Sequence, residues 1–446
     1  MRQSLAIIGK CSKSLEVMSD YPAIFRVRQT FERSIVEDIP AEVDAQLSRL
    51  GLNQKVKPGE TVAITAGSRG VANIHLITKA IVDHFKGLGA APFIVPAMGS
   101  HGGGTAEGQR QIIEDYGITE EFCGCPIKAS METIIVCDAA EGFPVHFDKH
   151  ASEADHVVVC GRVKPHTNFV GDIESGLMKM MLIGLGKHNG ARIYHRAIKD
   201  FDFAQIVRSV GREVLSKCKV VAGLGVVENA YDETAKLKAV GPEEFEDRER
   251  ELLVLAKQWM PRLPFDVGDI LLIDEIGKNI SGTGFDTNVI GRKFGSHKAG
   301  PNETPKIRII GFRGLTEETH GNGTGMGNAE FALTRAINQV NIDITRINCL
   351  TGGEGTGAMI PIHYDTDREI LNAFLPLIGL TEPANAKLMW IQNTLKVSEL
   401  ECSVAYLDEA RERDDLEVLV EPRPLPLDEL GMLPEVNTLG ALTASL

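Results

Sequence analysis

The stretch that decides the fold is residues 61–70, which read TVAITAGSRG. The first five residues of this stretch form a short β-rich run, and the Gly-containing segment after it predicts a turn. Residues 74–85 then carry isoleucine and phenylalanine side chains near helical spacing, and Asn73 is the predicted N-cap of that helix. The stretch therefore predicts one strand, turn and helix unit of an α/β protein.

The same alternation continues outward from this unit. Further strands are predicted at residues 92–97, 134–136, 156–160 and 220–224. Strands that alternate with helices imply a mostly parallel sheet that is covered on both faces. In such sheets, ligands bind beyond the carboxyl ends of the strands, so the segments that follow these strands are the first place to look for a site.

A linker divides the chain near Pro264. A charged helix predicted at 243–259 ends at Pro261, and two prolines in four residues suit a boundary. The pattern then restarts, with strands predicted at 270–273, 307–310, 342–348 and 403–407, a helix at 329–340, and an irregular strap from Glu421 onward. We therefore expect an α/β chain of two domains with mostly parallel sheets, residues 1–264 and residues 265–446.

Composition excludes several classes of protein. The chain has 446 residues, a formal charge of -14 and no block of Lys or Arg, so nucleic acid and anionic membrane surfaces are not expected partners. No apolar run approaches the roughly 20 residues of a membrane helix, and the first apolar run is too short for a signal peptide. The eight cysteines show no paired CxxC spacing, which indicates free thiols. We expect a cytoplasmic protein.

Two strand exits carry a histidine. His101 lies among four glycines in the segment 99–104, where successive backbone N–H groups can bind an anion and an imidazole can act as a general base. His166 lies in the segment KPHTN, where Pro165 stiffens the turn. From the residues alone, a surface histidine or a structural one remains the alternative at each position.

Lys179 interrupts the apolar run 176–184. A charge there is costly unless it is paired, deprotonated or covalently modified, and nucleophilic lysines arise in such settings. A lysine that extends its ammonium group to solvent from a helix edge is the alternative. Residues 186–190, which read GKHNG, indicate a solvated turn.

His195 follows Lys179 by sixteen residues. Its neutral imidazole could bind a metal, and the neighbouring Arg196 could bind phosphate or carboxylate. In the second domain, residues 274–284 read DEIGKNISGTG directly after a strand and could present Lys278 or Glu275 to a ligand. No GxxxxGK[ST] motif or GxGxxG motif occurs in the required context, which disfavours an ordinary nicotinamide dehydrogenase.

Taken together, His101 in GSHGGGT, His166 in KPHTN, Lys179 and His195 resemble the nickel-pincer lactate racemase family. That family places one histidine after an early Gly-rich strand exit and a second in a Pro-His turn. A lysine follows, and a further histidine lies sixteen residues beyond the lysine. The resemblance covers most of the chain and implies two α/β domains with a cofactor in the cleft between them.

The resemblance also implies the cofactor and the residues that hold it. The cofactor is a pyridinium-3,5-bisthiocarboxylic acid mononucleotide that binds nickel through two sulfurs and one carbon. Lys179 would carry it through a thioamide bond, and His195 would supply the protein ligand to nickel. Arg69 would bind phosphate or substrate. Further cofactor contacts are expected from Gly102 and Gly103, and further substrate contacts from Lys278 and Arg196.

Two departures from the family pattern bear on these expectations. The interval between His166 and Lys179 is longer here by a few residues, which leaves Lys164 and Lys187 as rival attachment points. The acidic residue that the family usually has three positions before the arginine is Ala66 in this chain.

The implied activity is racemisation or epimerisation of a 2-hydroxy acid. His101 and His166 would be the two acid/base residues, one on each face of the substrate, while the hydrogen on the carbinol carbon leaves as hydride and returns to the other face. Maturation would require cofactor-synthesis proteins. Three alternatives stay open: a sugar or sugar-acid epimerase with the same cofactor, a cofactor-free metabolite-binding protein, and a zinc or iron hydrolase that uses His101, His166 and His195.

Overall fold

The computed structural model describes residues 21–68 and 70–443. The described chain divides into two compact units: Glu32–Met260, and a second unit that joins residues 21–31 with residues 261–443. The expected domain 1–264 differs from this division at its start. The described residues before Glu32 belong to the second unit because their strand pairs with strands of that unit.

The strands, in chain order, are β1 (Ile24–Gln29), β2 (Thr61–Ala66), β3 (Ala91–Pro96), β4 (Thr133–Asp138), β5 (Pro144–Asp148), β6 (His156–Arg162), β7 (Val220–Glu228), β8 (Thr234–Val240), β9 (Val267–Ile273), β10 (Lys306–Phe312), β11 (Phe331–Leu333), β12 (Ile362–Tyr364), β13 (Leu388–Ile391), β14 (Glu399–Ser403) and β15 (Leu416–Arg423). The α-helices are α1 (Ile39–Ser48), α2 (Ile74–Gly87), α3 (Ala106–Asp115), α4 (Glu120–Cys123), α5 (Lys149–Glu153), α6 (Leu177–Lys179), α7 (Lys187–Ala197), α8 (Phe203–Lys217), α9 (Phe245–Trp259), α10 (Thr334–Asn338), α11 (Ile342–Thr351), α12 (Asp367–Phe374), α13 (Leu407–Glu412) and α14 (Val436–Thr443). None of the helices in the described residues is both long enough and apolar enough to cross a membrane.

The unit 32–260 is built on a five-stranded sheet in the order β3-β2-β6-β7-β8, with β4 and β5 as a separate hairpin. Strand β2 pairs in parallel with both β3 and β6, so the chain runs to one side of β2 and then returns to the other. Along β2, Val62 and Ile64 pack into one core cluster while Ala63 packs into the other, which places a core on each face. The reversal of strand order beside β2 marks the position where α/β sheets bind ligands.

The second unit contains an eight-stranded sheet in the order β12-β11-β10-β9-β13-β14-β1-β15. The strands from β12 to β13 are parallel, whereas β1 lies antiparallel between β14 and β15. Trp390 in β13 is fully buried in its core. The α/β class with mostly parallel pairing is therefore confirmed.

The strands expected in the sheet of unit 32–260 are confirmed, whereas several elements expected after Pro264 are wrong. Residues 342–348 were expected as a strand, but Ile342–Thr351 is helical because the Asn341 side chain accepts hydrogen bonds from the N–H groups of Asp343 and Ile344, both at 3.2 Å. The helix expected at 329–340 is a short strand, β11, followed by the five-residue α10.

Two smaller expectations were also wrong. The strand expected at 403–407 ends at Ser403, and Leu407 begins α13. Asn73 precedes α2 but does not cap it, because its backbone has a φ of 59° and its amide donates to Thr234 Oγ1 at 3.1 Å.

Candidate functional site

The site lies where β2 and β6 end at the reversal of strand order. Met180, the residue after Lys179, packs over these two strand ends: a Cβ at Gly161 would lie 2.7 Å from Met180 Cγ, and one at Gly67 would lie 3.6 Å from its terminal methyl. Glycine at 161 is therefore needed for this close approach. The contact brings the Lys179 segment to the carboxyl edge of the sheet.

His101 follows β3 at the same edge. Its Nδ1 contacts the hydroxyl of Ser68, which follows β2. The loop is fixed from behind by the buried amide of Gln109, which donates to the carbonyls of Gly99 at 2.9 Å and His101 at 3.2 Å. When Nδ1–H donates to Ser68, the Nε2 atom of His101 is left as the acceptor that a general base requires.

Gly102 and Gly103, expected to contact the cofactor, form a single 3-10 turn with Gly104, and all three have a φ of 66°. A Cβ at Gly102 would lie 2.6 Å from the backbone of Gly108, so this position also requires glycine for packing. Thr105 then caps α3 by accepting from Gly108 N–H at 3.1 Å. The glycines therefore have a demonstrated structural role, and cofactor contact by them stays a prediction.

His166 lies in the loop after β6, and a buried carboxylate positions this loop. Glu174 accepts hydrogen bonds from the backbone N–H groups of His166 at 2.6 Å and Gly171 at 3.1 Å. Lys257 of α9 forms an ion pair with the same carboxylate. The fixed ends of the loop restrict where the imidazole can lie.

The His166 ring also has a defined protonation pattern. Its Nδ1 accepts the backbone N–H groups of Asn168 at 3.0 Å and Phe169 at 3.3 Å, so the proton of the neutral ring resides on Nε2. The ring packs on Phe169 and Phe203, at centroid distances of 4.6 and 5.4 Å. His166 is thus arranged as a hydrogen-bond donor in its neutral state.

Lys179 ends α6 and is half-buried, with its Nζ donating to Ser175 Oγ at 3.3 Å. Lys179 is therefore only partly buried, and its role in carrying a cofactor stays a prediction. The short helix is held from below by Glu249 of α9, whose carboxylate accepts from Met178 N–H at 2.8 Å. A π-helical segment, Met180–Gly184, connects α6 to the segment before α7.

His195 lies on α7 within electrostatic reach of Lys179. Burial, followed by the positive charges of Lys179 and Lys199, lowers the pKa of His195. The imidazole is therefore neutral over a wider pH range than a free histidine, which is the form that binds metals. Among the described residues no group of three or more His, Cys, Asp or Glu side chains is placed to hold a metal ion.

Lys187 lies in a different environment from the one expected. Residues 186–190 were expected to be a solvated turn, yet Lys187 begins α7, is fully buried, and forms an ion pair with the buried Asp148 at 2.9 Å. Its Nζ also donates to the carbonyl of Pro96, the last residue of β3. This lysine is committed to structure, so it is a poor rival to Lys179 as an attachment point.

The remaining expected site residues make other contacts. Arg196 lines an open pocket of about 270 Å³ on α7 together with His146, Asn189, Arg192 and Ile193. Lys278 donates from Nζ to Gly282 O at 3.0 Å, within the turn that follows β9. Glu275 accepts from the side-chain amides of Gln392 and Asn393. Arg69 lies outside the described residues.

Three positioning groups escaped the sequence reasoning: Ser68, Glu174 and Glu249. Glu174 lies five residues before Lys179, a spacing that does not place the two side chains together on a helix, and the structure pairs Glu174 with Lys257 instead. Glu249 belongs to a charged helix seventy residues downstream, where its burial has no local sequence signal. Ser68 lies in the turn that follows β2, within residues 61–70, and this position at a strand end was the signal that could have identified it.

Comparisons with known proteins identify a similar family model and similar structures. Residues 10–204 match the family model of the lactate racemase N-terminal domain. The lactate racemase apoprotein from Thermoanaerobacterium thermosaccharolyticum is similar in structure, with a TM-score of 0.50 and 14% identity over 83% of this chain and 94% of that one. A protein from Thermotoga maritima has a TM-score of 0.46 and 14% identity over 64% of this chain and 72% of that one. No curated protein matches the chain. The first of these structures shows the fold.

Proposed function

We propose that this chain is an isomerase that inverts the carbinol carbon of a 2-hydroxy acid, because residues 10–204 match the family model of the lactate racemase N-terminal domain. The proposal includes a nickel-pincer nucleotide as cofactor and a small-molecule hydroxy acid as substrate. The observation that carries it is the position of the Lys179 segment beside the reversal of strand order, with His195 within electrostatic reach of Lys179.

The residues present fit such a cofactor. Lys179 is half-buried, so its Nζ can be reached by a bulky group, and His195 offers an uncharged nitrogen donor. A metal held by one imidazole needs most of its donors from elsewhere, and a nucleotide that brings two sulfurs and a carbon provides them. When bound, this cofactor supplies a hydride acceptor for the substrate.

His101 and His166 perform the proton chemistry in this proposal. His101, oriented by Ser68, takes the hydroxyl proton of one enantiomer at Nε2. His166, with its proton on Nε2, donates a hydrogen bond to the oxygen on the opposite side. For the other enantiomer the roles exchange, which requires the other tautomer of His166. The ring then leaves the N–H groups of Asn168 and Phe169, carries its proton on Nδ1 and accepts the hydroxyl proton of the substrate at Nε2.

The proposal is tested on protein produced together with the cofactor-synthesis enzymes. We expect peptide mapping to find a mass adduct on Lys179 and none on Lys164 or Lys187, and metal analysis to find nickel. Lys179→Ala should remove the adduct, whereas Lys164→Ala, a matched change of a half-buried lysine at the same edge, should retain it.

Activity is measured as interconversion of 2-hydroxy acid enantiomers by chiral chromatography. His101→Ala and His166→Ala should each lower turnover by about 10²-fold or more. An unmodified Lys179 in fully active protein would refute the attachment. Zinc or iron without any nucleotide adduct would favour a hydrolase instead.

A further inference from the structure

The helix α11 exposes its apolar side chains and buries its small polar ones. Ile344, Ile347 and Leu350 recur at three-residue spacing, and their exposed fractions are 39%, 64% and 68%. Its buried residues are Thr345 and Cys349. A surface helix ordinarily shows the reverse distribution, with its apolar stripe on the core.

The segment after α11 continues this apolar surface. A 3-10 turn, Gly355–Ala358, packs on α11, since a Cβ at Gly357 would lie 3.3 Å from Cys349 Sγ. The residues that follow the turn expose large apolar side chains to more than half of their area. We call the combined surface the apolar patch, and its members are Ile342, Ile344, Ile347, Leu350, Met359, Ile360 and Ile362.

The size of the apolar patch exceeds what a solitary surface normally shows. Seven side chains exposed by 39% to 68% present on the order of 700 Å² of accessible surface, whereas the largest patch on a typical monomer is about 300–600 Å². A standard protein interface buries about 800 Å² on each partner. Together with the polar residues around it, the patch therefore approaches the area that one side of a stable dimer needs.

The arrangement on α11 is self-complementary. Ile347 lies next to the midpoint of the ten-residue helix, with Ile344 and Leu350 three residues to either side. A two-fold axis through Ile347 places an antiparallel copy of the helix against it, so that Ile344 faces the partner subunit's Leu350 and Ile347 faces the partner subunit's Ile347. The exposed pair Asp343 and Arg346 supplies the polar rim of such an interface.

A second copy of this chain also suits the charge of the patch. The chain carries a formal charge of -14, so two copies repel each other except where a surface lacks charge. The seven members of the patch are uncharged. Strand addition is not the mode of contact, because β12 has only three residues and the preceding Pro361 has no N–H group to offer.

We propose that the protein forms a homodimer through the apolar patch, with α11 packed antiparallel on α11 of the second copy. This proposal is independent of the activity proposed above. The dimer would remove from water the exposed isoleucine and leucine stripe of α11. No other helix in the described residues has an outer stripe of this kind.

Sedimentation velocity on the full-length protein tests the proposal. Wild-type protein should sediment at twice the chain mass of 48.5 kDa over concentrations from about 1 to about 100 µM. Ile347→Asp should weaken the dimer by about 100-fold or more, since the symmetric contact is altered in both subunits. Leu380→Asp is the matched control, because Leu380 is fully exposed and lies outside the patch.

A positive readout comes from Ile347→Cys. Because position 347 faces its own copy, mild oxidation should join two chains through a disulfide, whereas Leu380→Cys should not cross-link above the wild-type background. Circular dichroism should show that all variants are folded. The proposal would be overturned if the wild-type protein is a monomer at the highest concentration. It would also be overturned if the dimer survives Ile347→Asp and Ile347→Cys does not cross-link, or if only a different protein occupies the patch.

Discussion

Replacing Glu249 with glutamine should remove a pH-dependent loss of stability. Glu249 is fully buried beneath α6, where its Oε2 accepts the N–H of Met178 at 2.8 Å. Burial is the largest influence on this carboxyl group and raises the pKa of Glu249 from 4.5 to about 7, against the opposing effect of the N–H groups of Met178 and Leu177. Glutamine keeps an accepting oxygen for the helix end and does not titrate.

The magnitude follows from the shift. In the unfolded chain Glu249 titrates near its ordinary pKa, so between about pH 4.5 and 7 the native state holds a proton that the unfolded state has released. The contribution of Glu249 to stability is therefore present below this window and is lost as the pH rises through it. Since one pKa unit corresponds to about 1.4 kcal/mol, the loss amounts to roughly 3 kcal/mol.

The assay is urea unfolding at pH 5 and pH 8, followed by tryptophan fluorescence, to which Trp259 on the same helix as Glu249 contributes. Glu249→Gln should gain roughly 3 kcal/mol over wild type between these two pH values. Glu246→Gln is the control, because hydrogen bonding to Arg212 lowers the pKa of Glu246. This group is therefore ionised in both the native and unfolded states between pH 5 and pH 8, and its replacement should change stability nearly equally at both. An equal difference between Glu249→Gln and wild type at both pH values would refute the reasoning.

Two further predictions concern groups that hold the site. Ser68→Ala should lower turnover by about 10-fold or more, because His101 loses the hydroxyl that orients it, and Ser68→Thr should restore most of the turnover. The measurement is kcat of the protein loaded with cofactor, and an unchanged kcat in Ser68→Ala would show that the contact is dispensable. Lys187→Met should cost about 3–5 kcal/mol in urea unfolding because Asp148 is left as a buried unpaired charge. The double variant Lys187→Met with Asp148→Asn should recover part of that loss in unfolding free energy. If Lys187→Met alone loses less than about 1 kcal/mol, the buried ion pair is contradicted.

The sequence predicted the framework of the site because its signals are local. The strand at 61–65 and the turn after it, the Gly-rich exit of β3 and the Pro-His turn after β6 all lie where we expected them. Buried parallel strands are continuous apolar runs, and glycine or proline marks their ends, so neighbouring residues alone identify them. The resemblance to a family then joined His101, His166, Lys179 and His195, which local signals alone had left as separate alternatives.

What could not be predicted depends on partners distant in sequence. Lys179 interrupts an apolar run and Lys187 lies in the polar segment GKHNG, yet the structure buries the second and leaves the first half-exposed because Asp148 lies beside Lys187. The segment 342–348 alternates isoleucine with polar residues as a strand would, but Asn341 caps it as a helix. Its isoleucines are turned to the surface as a result, and this is the origin of the apolar patch.

The position of β1 constrains the order in which the protein can assemble during synthesis. Arg26 in β1 bonds Glu399 in β14, 373 residues later, and the other edge of β1 pairs with β15. On the ribosome, β1 therefore emerges before its sheet neighbours and stays without them until β14 and β15 have been translated, whereas unit 32–260 contains all the strands of its own sheet and can fold while translation continues. A nascent chain halted after residue 398 would still present an unpaired apolar strand, the kind of segment that chaperones bind.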